Sequence, residues 1–342
     1  MKAKSDARTI AVEPIMDLPN VTLLTGRKVL RMETDPSGKT VTDIVCHTEQ
    51  GEERWRGDIV VLAAGAANTA VVLLASANAA HPGGLANSSD QVGRNYMFHN
   101  TTAMVSMTPG RQQVSFPKTL AVNDFYFGDP KGGYDLPMGH IQMLEYMSGQ
   151  TLEGQIEDWL PPILVPDRLS GMAAERMLSM LAISEDLPHP DNRVRLDGAG
   201  RICLDYTFSN LEGHERLVNV LRDSLAGYVD HAHPITQRHF QFDSLLPLYG
   251  TAHQCGTTRF GADPKSSVLD RDCKAHDLDN LYVADTSFFV SSNAVNPTLT
   301  TVANALRVGD HLLDRLGAST AAAPVSPPTV MTPVHKPGES LS

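Results

Sequence analysis

Three short segments hold most of the residues able to do chemistry: His253-Gln-Cys-Gly-Thr-Thr-Arg-Phe-Gly261, Leu281-Tyr-Val-Ala-Asp285 and Val295-Asn-Pro-Thr-Leu-Thr-Thr301. The loop around His253 is too rich in Gly and Thr for a helix, so its imidazole can face a pocket and titrate near neutrality. A general base that takes the proton of an alcohol needs both properties. Asn296-Pro297 points to a different use. Asn is a favoured N-cap and Pro a favoured first helical residue, which predicts a helix from Asn296 to Leu316 ended by Gly317. Its N-terminus then offers free N–H groups and a positive dipole end, suited to an anion. Plainer readings stand beside both: a lone histidine is most often structural, and most capped helices hold no ligand.

Other chemistries fit less well. His253-x-Cys255 and Cys273-x-x-His276 together offer the two N and two S donors that structural zinc uses. His-x-Cys is not a usual knuckle spacing, however, and Asp270 to His276 reads as a turn. No G-x-S-x-G nucleophile elbow occurs. The chain also lacks G-x-G-x-x-G, the fingerprint that seats a dinucleotide pyrophosphate on a helix N-terminus; Gly83-Gly84 and Gly132-Gly133 sit in turn-like contexts and open no helix.

Composition narrows the partners. With 342 residues, 42% of them hydrophobic, the chain can bury a large core as one big domain or two interleaved ones. A net charge of -11 without Lys/Arg clusters excludes a nucleic-acid partner, which requires a concentrated basic surface. Four scattered cysteines and no signal-peptide pattern after Met1 fit a reducing cytoplasm. The uncharged run Ile59 to Ala80 is long enough to span a membrane, but Gly65 and Asn68 interrupt it and no basic flank adjoins it. It reads as strand, turn and helix, with no membrane span.

The elements that must position these residues are legible in outline. Val21 to Arg31 and Thr40 to Thr48 read as paired strands around the turn Asp35-Pro-Ser-Gly38. Ile59 to Ala63 reads as a strand buried on both faces of a parallel sheet, followed by a helix to Ala77 capped by Asn68 or Thr69. Pro109 to Leu187 is weakly patterned, as in a large insertion over a pocket. Within it Pro166 to Leu181 has helical periodicity, with Met172, Met177 and Met180 as flexible core filler. Asn192 to Leu196 and Ile202 to Phe208 alternate as strands around Asp197-Gly-Ala-Gly200, Glu212 to Asp230 reads as a helix, and Ile235 to Phe242 and Asn280 to Ala284 as strands. Ala318 to Ser342 is rich in Ala, Pro, Ser and Thr and reads as a disordered tail.

Four ordered segments, His253 to Gly261, Pro264-Lys-Ser-Ser-Val-Leu-Asp270, Asn280-Leu-Tyr-Val-Ala-Asp-Thr-Ser287 and Asn296-Pro-Thr-Leu-Thr300, resemble the C-terminal region of the glucose-methanol-choline (GMC) oxidoreductases. Val21 to Val29, Asp58 to Ala66 and Val92-Gly-Arg-Asn-Tyr-Met97 resemble the family's middle segments, so the likeness covers most of Val21 to Leu316. It implies an α/β fold (α+β in layout): a partial FAD-binding, Rossmann-like region at 1–105, a substrate domain with an antiparallel sheet at 106–245, and a C-terminal FAD-binding and catalytic segment at 246–317 before the tail at 318–342. The implied activity is FAD-dependent oxidation of the CH–OH group of an alcohol or sugar. His253 would accept the hydroxyl proton, and Asn296 would hold the substrate oxygen. Asp285, with Ala284 before it, would lie beside the ribityl and phosphate part of FAD, Pro297 and Thr298 at the flavin pyrimidine edge, and the Val29 backbone near adenine. The missing fingerprint implies an N-terminally incomplete chain. Its partner would then be a separate FAD-binding half; alternatively the chain is a remnant or split subunit that binds no flavin alone.

Overall fold

Asp35 closes the first hairpin. Its Oδ1 accepts from the N–H groups of Lys39 (3.0 Å) and Thr40 (3.2 Å), and Gly38 takes φ +73°, where a Cβ would lie 2.6 Å from that of Ala80. In this computed structural model, which describes residues 6–107, 118–129, 131–144, 175–232, 241–246 and 252–318, the expected strands flank that turn as β1 (Lys28–Thr34) and β2 (Val41–Thr48). β1 starts later than the apolar pattern predicts, because residues 22–27 are exposed and have no sheet partner. A third antiparallel strand, β3 (Gly51–Trp55), joins β2 where the sequence suggested only a lead-in to the next element.

The run Ile59 to Ala80 does become strand, turn and helix: β4 (Val60–Leu62) and α1 (Ala66–Ala75). Two details differ from expectation. Val60 and Leu62 are buried but Val61 is 45% exposed, since β4 belongs to a two-stranded sheet, parallel with β12 (Leu281–Val283), and one of its faces is uncovered. Neither Asn68 nor Thr69 caps α1. Gly65, at φ +81°, is the N-cap, and the Thr69 hydroxyl turns to Asp285 instead.

An antiparallel sheet of five strands occupies the middle of the chain, in the order β11 (Gln241–Leu245), β5 (His99–Met107), β8 (Met177–Glu185), β7 (His140–Met143), β6 (Ala121–Val122). The helical periodicity of Pro166 to Leu181 is overturned at its described end. Met177 begins a strand, because an apolar run held between two sheet neighbours satisfies either pattern. Met180 is core filler as expected and Met177 is partly buried; Met172 and residues 235–240 lie outside the described residues. Helix α2 (Leu211–Ala232) packs Leu217, Val218 and Leu221 against Met104, Ile141, Met180 and Ala182, forming one core. β9 (Arg193–Leu196) and β10 (Ile202–Asp205) form the expected hairpin, with Asp197 Oδ1 accepting from the N–H groups of Ala199 and Arg201 (2.9 Å each).

A second, larger core joins Met32, Leu73, Tyr96, Phe98, Val194, Leu269, Tyr282 and Val308, drawing on both ends of the chain. Val308 belongs to α3 (Thr298–Arg315). That helix ends as the sequence predicts: Gly317 at φ +66° donates to the Asp314 carbonyl (3.0 Å) and Ala318 N–H to that of Leu313 (2.9 Å), a Schellman closure. The architecture is mixed α/β. Among the described residues no helix is long and apolar enough to cross a membrane; the tail beyond Ala318 lies outside them.

Candidate functional site

His253 precedes a run that is fixed from two sides. Cys255 exchanges both backbone hydrogen bonds with Met97 (2.8 and 3.0 Å), while the N–H groups of Gly256, Thr258 and Phe260 donate to the carbonyls of Thr286, Ser287 and Phe288 (3.3, 2.9 and 3.2 Å). Gly256 is obligatory there: at φ +92° a Cβ would stand 2.2 Å from the Asn95 carbonyl oxygen. The Thr286 hydroxyl donates to the Gln254 carbonyl and that of Thr257 to the Ala66 carbonyl, both at 2.6 Å. So the turn after β4, the Met97 segment and the turn after β12 all meet beside His253.

His253 itself takes φ +64°, a left-handed conformation costing about 1–2 kcal/mol for a residue with a Cβ. It is half-buried, and its ring meets that of His99 at the start of β5, centroids 4.9 Å apart and planes at 64°. Burial, and secondarily the nearby Lys118 ammonium, hold its pKa below the ordinary histidine value. Both effects favour the neutral ring that a proton acceptor needs.

Asp285 is a strut. Its Oδ2 accepts from Gly65 N–H (2.9 Å) and the Thr69 hydroxyl (2.5 Å), and its Oδ1 from Ser287 N–H (2.8 Å) and the Ser287 hydroxyl (2.5 Å). All four acceptor positions of the carboxylate are in use. It ties the C-terminal end of β12 to the N-terminus of α1, while Ala284 N–H donates to the Leu62 carbonyl (3.0 Å) across the same pair of strands. Val29 lies partly buried in β1, next to a register shift.

Pro297 is the N-cap of α3 rather than its first residue, and Asn296 is not the cap. Pro297 already has helical dihedrals (φ −86°, ψ −4°), and its carbonyl accepts from both N–H and hydroxyl of Thr301 (3.0 Å each), so the helix is set from within and Asn296 is left exposed. Thr298 opens the helix, also exposed. No hydrogen bond joins Asn296 to His253. Neither α1 nor α3 has a side-chain cap at its N-terminus.

The segment before α3 leads back to the histidines. Ser291 bonds to the Glu185 carboxylate at the end of β8, the Ser292 hydroxyl accepts from Asp186 N–H (2.9 Å), and Ala294 N–H donates to the Tyr126 hydroxyl (3.2 Å). Sequence reasoning missed His99, Lys118 and Glu185; the marked segment Val92 to Met97 stops two residues short of His99. The rival zinc set does not assemble: Cys273 Sγ accepts from Asn304 Nδ2 and His276 Nε2 pairs with the Ser267 hydroxyl. Two cavities, about 390 and 360 Å³, open beside β1 and β2, and neither is lined by His253, Asp285 or Asn296.

Residues 188–305 match the model of a family described as GMC oxidoreductase. Among curated proteins, the chain is 30% identical to 6'''-hydroxyparomomycin C oxidase of Streptomyces lividus over 94% of its length and 57% of that protein's. It is 29% identical to paromamine 6'-oxidase of Streptomyces fradiae over 89% of its length and 54% of that protein's. The chain thus spans about half the length of these relatives. Among solved structures, pyridoxine 4-oxidase from Mesorbium loti superposes with a TM-score of 0.62 at 20% identity, covering 89% of this chain and 60% of that one, a likeness of fold.

Proposed function

We propose that this chain, which belongs to the GMC oxidoreductase family, carries the alcohol-handling side of an FAD-dependent oxidoreductase acting on the CH–OH group of an alcohol or sugar. The carrying observation is a half-buried His253, its pKa held below the ordinary histidine value, on a fixed loop where the segments after β4 and β12 converge. His253 takes the hydroxyl proton, and Asn296, exposed at the foot of α3, holds the substrate oxygen. FAD, when bound, supplies the acceptor for the hydride. The residues present fit it in part: α1 and α3 both begin without a side-chain cap, two positive dipole ends suited to its anionic parts. Pro297 and Thr298 would meet the pyrimidine edge and Val29 the adenine. Asp285, its carboxylate filled by protein donors, would act through the turns it fixes, with Ala284 beside it. Residues 1–105 and 246–317 would then serve the cofactor side and 106–245 the substrate side. Sugar-like and polyol substrates agree with the names of relatives such as fructose dehydrogenase and 2-methyl-1,2-propanediol dehydrogenase.

A second observation favours a complementing FAD-binding half. On α3 and its C-cap, Leu299, Val302, Leu306, Leu313 and Leu316 recur at helical spacing and all face solvent, Leu299 at 84% and Leu306 at 67% exposure. Full burial of a side chain as exposed as Leu299 would contribute about 1.5–3 kcal/mol, which suits the stripe to an interface with that half. The test is the visible spectrum of the purified chain after incubation with FAD and desalting. Retained flavin bands support a cofactor seat within this chain. A folded, colourless protein supports the split reading, and oxidation of polyols should then appear only when the FAD-binding half is added. Failure of that complete assembly to oxidise any alcohol would sink the proposal.

A further inference from the structure

His99 is a buried histidine whose ring makes no well-formed hydrogen bond. It is 3% exposed, and neither Nδ1 nor Nε2 has a hydrogen-bond partner. An orphaned buried polar atom costs about 1–3 kcal/mol, so a site that keeps two of them has a use for the ring that folding alone does not supply. Its ring contact is with the candidate base: the edge of one imidazole meets the face of the other at 4.9 Å.

Carboxylates border the pair: buried Asp186 accepts from Phe98 N–H (3.4 Å), next to His99 in sequence. In the β5–β8 register His99 lies directly opposite Glu185, whose carboxylate is taken by the Ser291 hydroxyl. Lys118, ahead of β6, acts on His253, and the Asn293 backbone, close enough to interact with the His99 ring though not a well-formed partner, favours its protonated form against the larger effect of burial. Burial, with the neighbouring His253 second, pushes the His99 pKa down to about 4, so its ring is neutral whenever His253 is at work.

We propose that His99 is a positioning residue for His253: its neutral ring orients the base and stabilises the imidazolium that His253 becomes on taking the substrate proton. The proton passes from the substrate oxygen to a His253 nitrogen, and His99 exchanges no proton. An edge-to-face pair gives a nascent cation the electron-rich face or a lone pair of a neutral imidazole, and in a site with little water that contact is strong. Lys118 opposes the same charge, which makes a compensating neighbour more valuable.

The inference rests on His253 being the base, and its test can fail separately from that assignment. The first measurement is an NMR titration of the His253 ring in this chain without flavin. His99→Phe keeps the ring packing and removes both nitrogens; His99→Gln restores a polar acceptor. His99→Phe should lower the His253 pKa by about one unit and His99→Gln should return it most of the way. In the flavin-loaded complete enzyme, His99→Phe should lower kcat about tenfold with KM unchanged. Superimposable His253 titrations in wild type and His99→Phe, with both variants folded, would overturn the proposal even if His253 proves essential. A shifted titration in a protein that oxidises no alcohol would leave the coupling standing and remove the proposed function.

Discussion

His214 and His99 are buried equally, at 3% exposure, and burial pushes both down to about 4, yet the structure treats them in opposite ways. His214 on α2 sits between the hydroxyls of Thr102 (2.8 Å) and Ser184 (2.9 Å), using both ring nitrogens to clamp the helix to β5 and β8. His99, on the same β5, has no well-formed hydrogen bond. The contrast extends to their regions. The five-stranded sheet has its apolar side covered by α2, whereas the β4–β12 pair and α3 leave Val61 and a row of leucines in water. The satisfied ring holds a closed core together; the orphaned one, at the border of an open region, is the one proposed above to serve the chemistry.

The largest expected effect lies on the open side: His253→Ala in the complete, flavin-loaded enzyme should lower kcat by about 10²- to 10⁴-fold while flavin absorbance is retained. An enzyme that keeps near wild-type turnover would return His253 to the structural class. Next comes the pair itself. His214→Phe strands two buried hydroxyls and should cost about 2–4 kcal/mol in urea unfolding, whereas His99→Phe strands none and should change stability by about 1 kcal/mol or less. Equal losses would erase the comparison.

Acid should expose what the two histidines share. Their folded pKa values lie below the ordinary 6.5, so the unfolded chain binds more protons as pH falls from about 6.5 to about 4. Their contribution is fully present above 6.5 and is lost through that window, at up to about 3 kcal/mol per histidine. Unfolding free energies measured from pH 7 to pH 4 should fall accordingly, and the double Phe variant should flatten the slope. Smallest of all, Leu306→Glu should leave the stability of this chain within about 0.5 kcal/mol, because the side chain touches little. The same change should abolish recovery of activity by an added FAD-binding half; unimpaired recovery would mean that the stripe is not the interface.

Much of this was legible in the residues. The turns at Asp35 and Asp197 and the end of α3 at Gly317 follow from local rules that need no tertiary context, whereas the segments around His253 were marked by the family resemblance. What escaped depends on neighbours. Met177 to Glu185 is apolar in a way that suits helix or strand, and only its place between β5 and β7 decides. Asn296 carries the stronger capping preference, but the dihedrals of Pro297 and the back-bonding of Thr301 start the helix one residue later. Thr69 is drawn from capping by Asp285, 216 residues away in sequence. His99 carries no motif signal, because its distinction is the absence of partners in three dimensions. The spacing of the α3 leucines predicts an apolar face and cannot tell whether anything lies on it.

The two-stranded ladder of β4 and β12 has a bearing on how the isolated polypeptide behaves in the tube. Val60 N–H and the Leu62 carbonyl bond toward the β12 side, to Asn280 and Ala284, so strand alternation turns the amide of Val61 to the free edge. Among the described residues that edge has no partner strand, and an unpaired edge with an apolar side chain at its centre can template an extended segment. Loss of material on concentrating this protein should therefore proceed by edge-to-edge stacking of folded molecules, with its rate rising steeply with concentration and little with temperature.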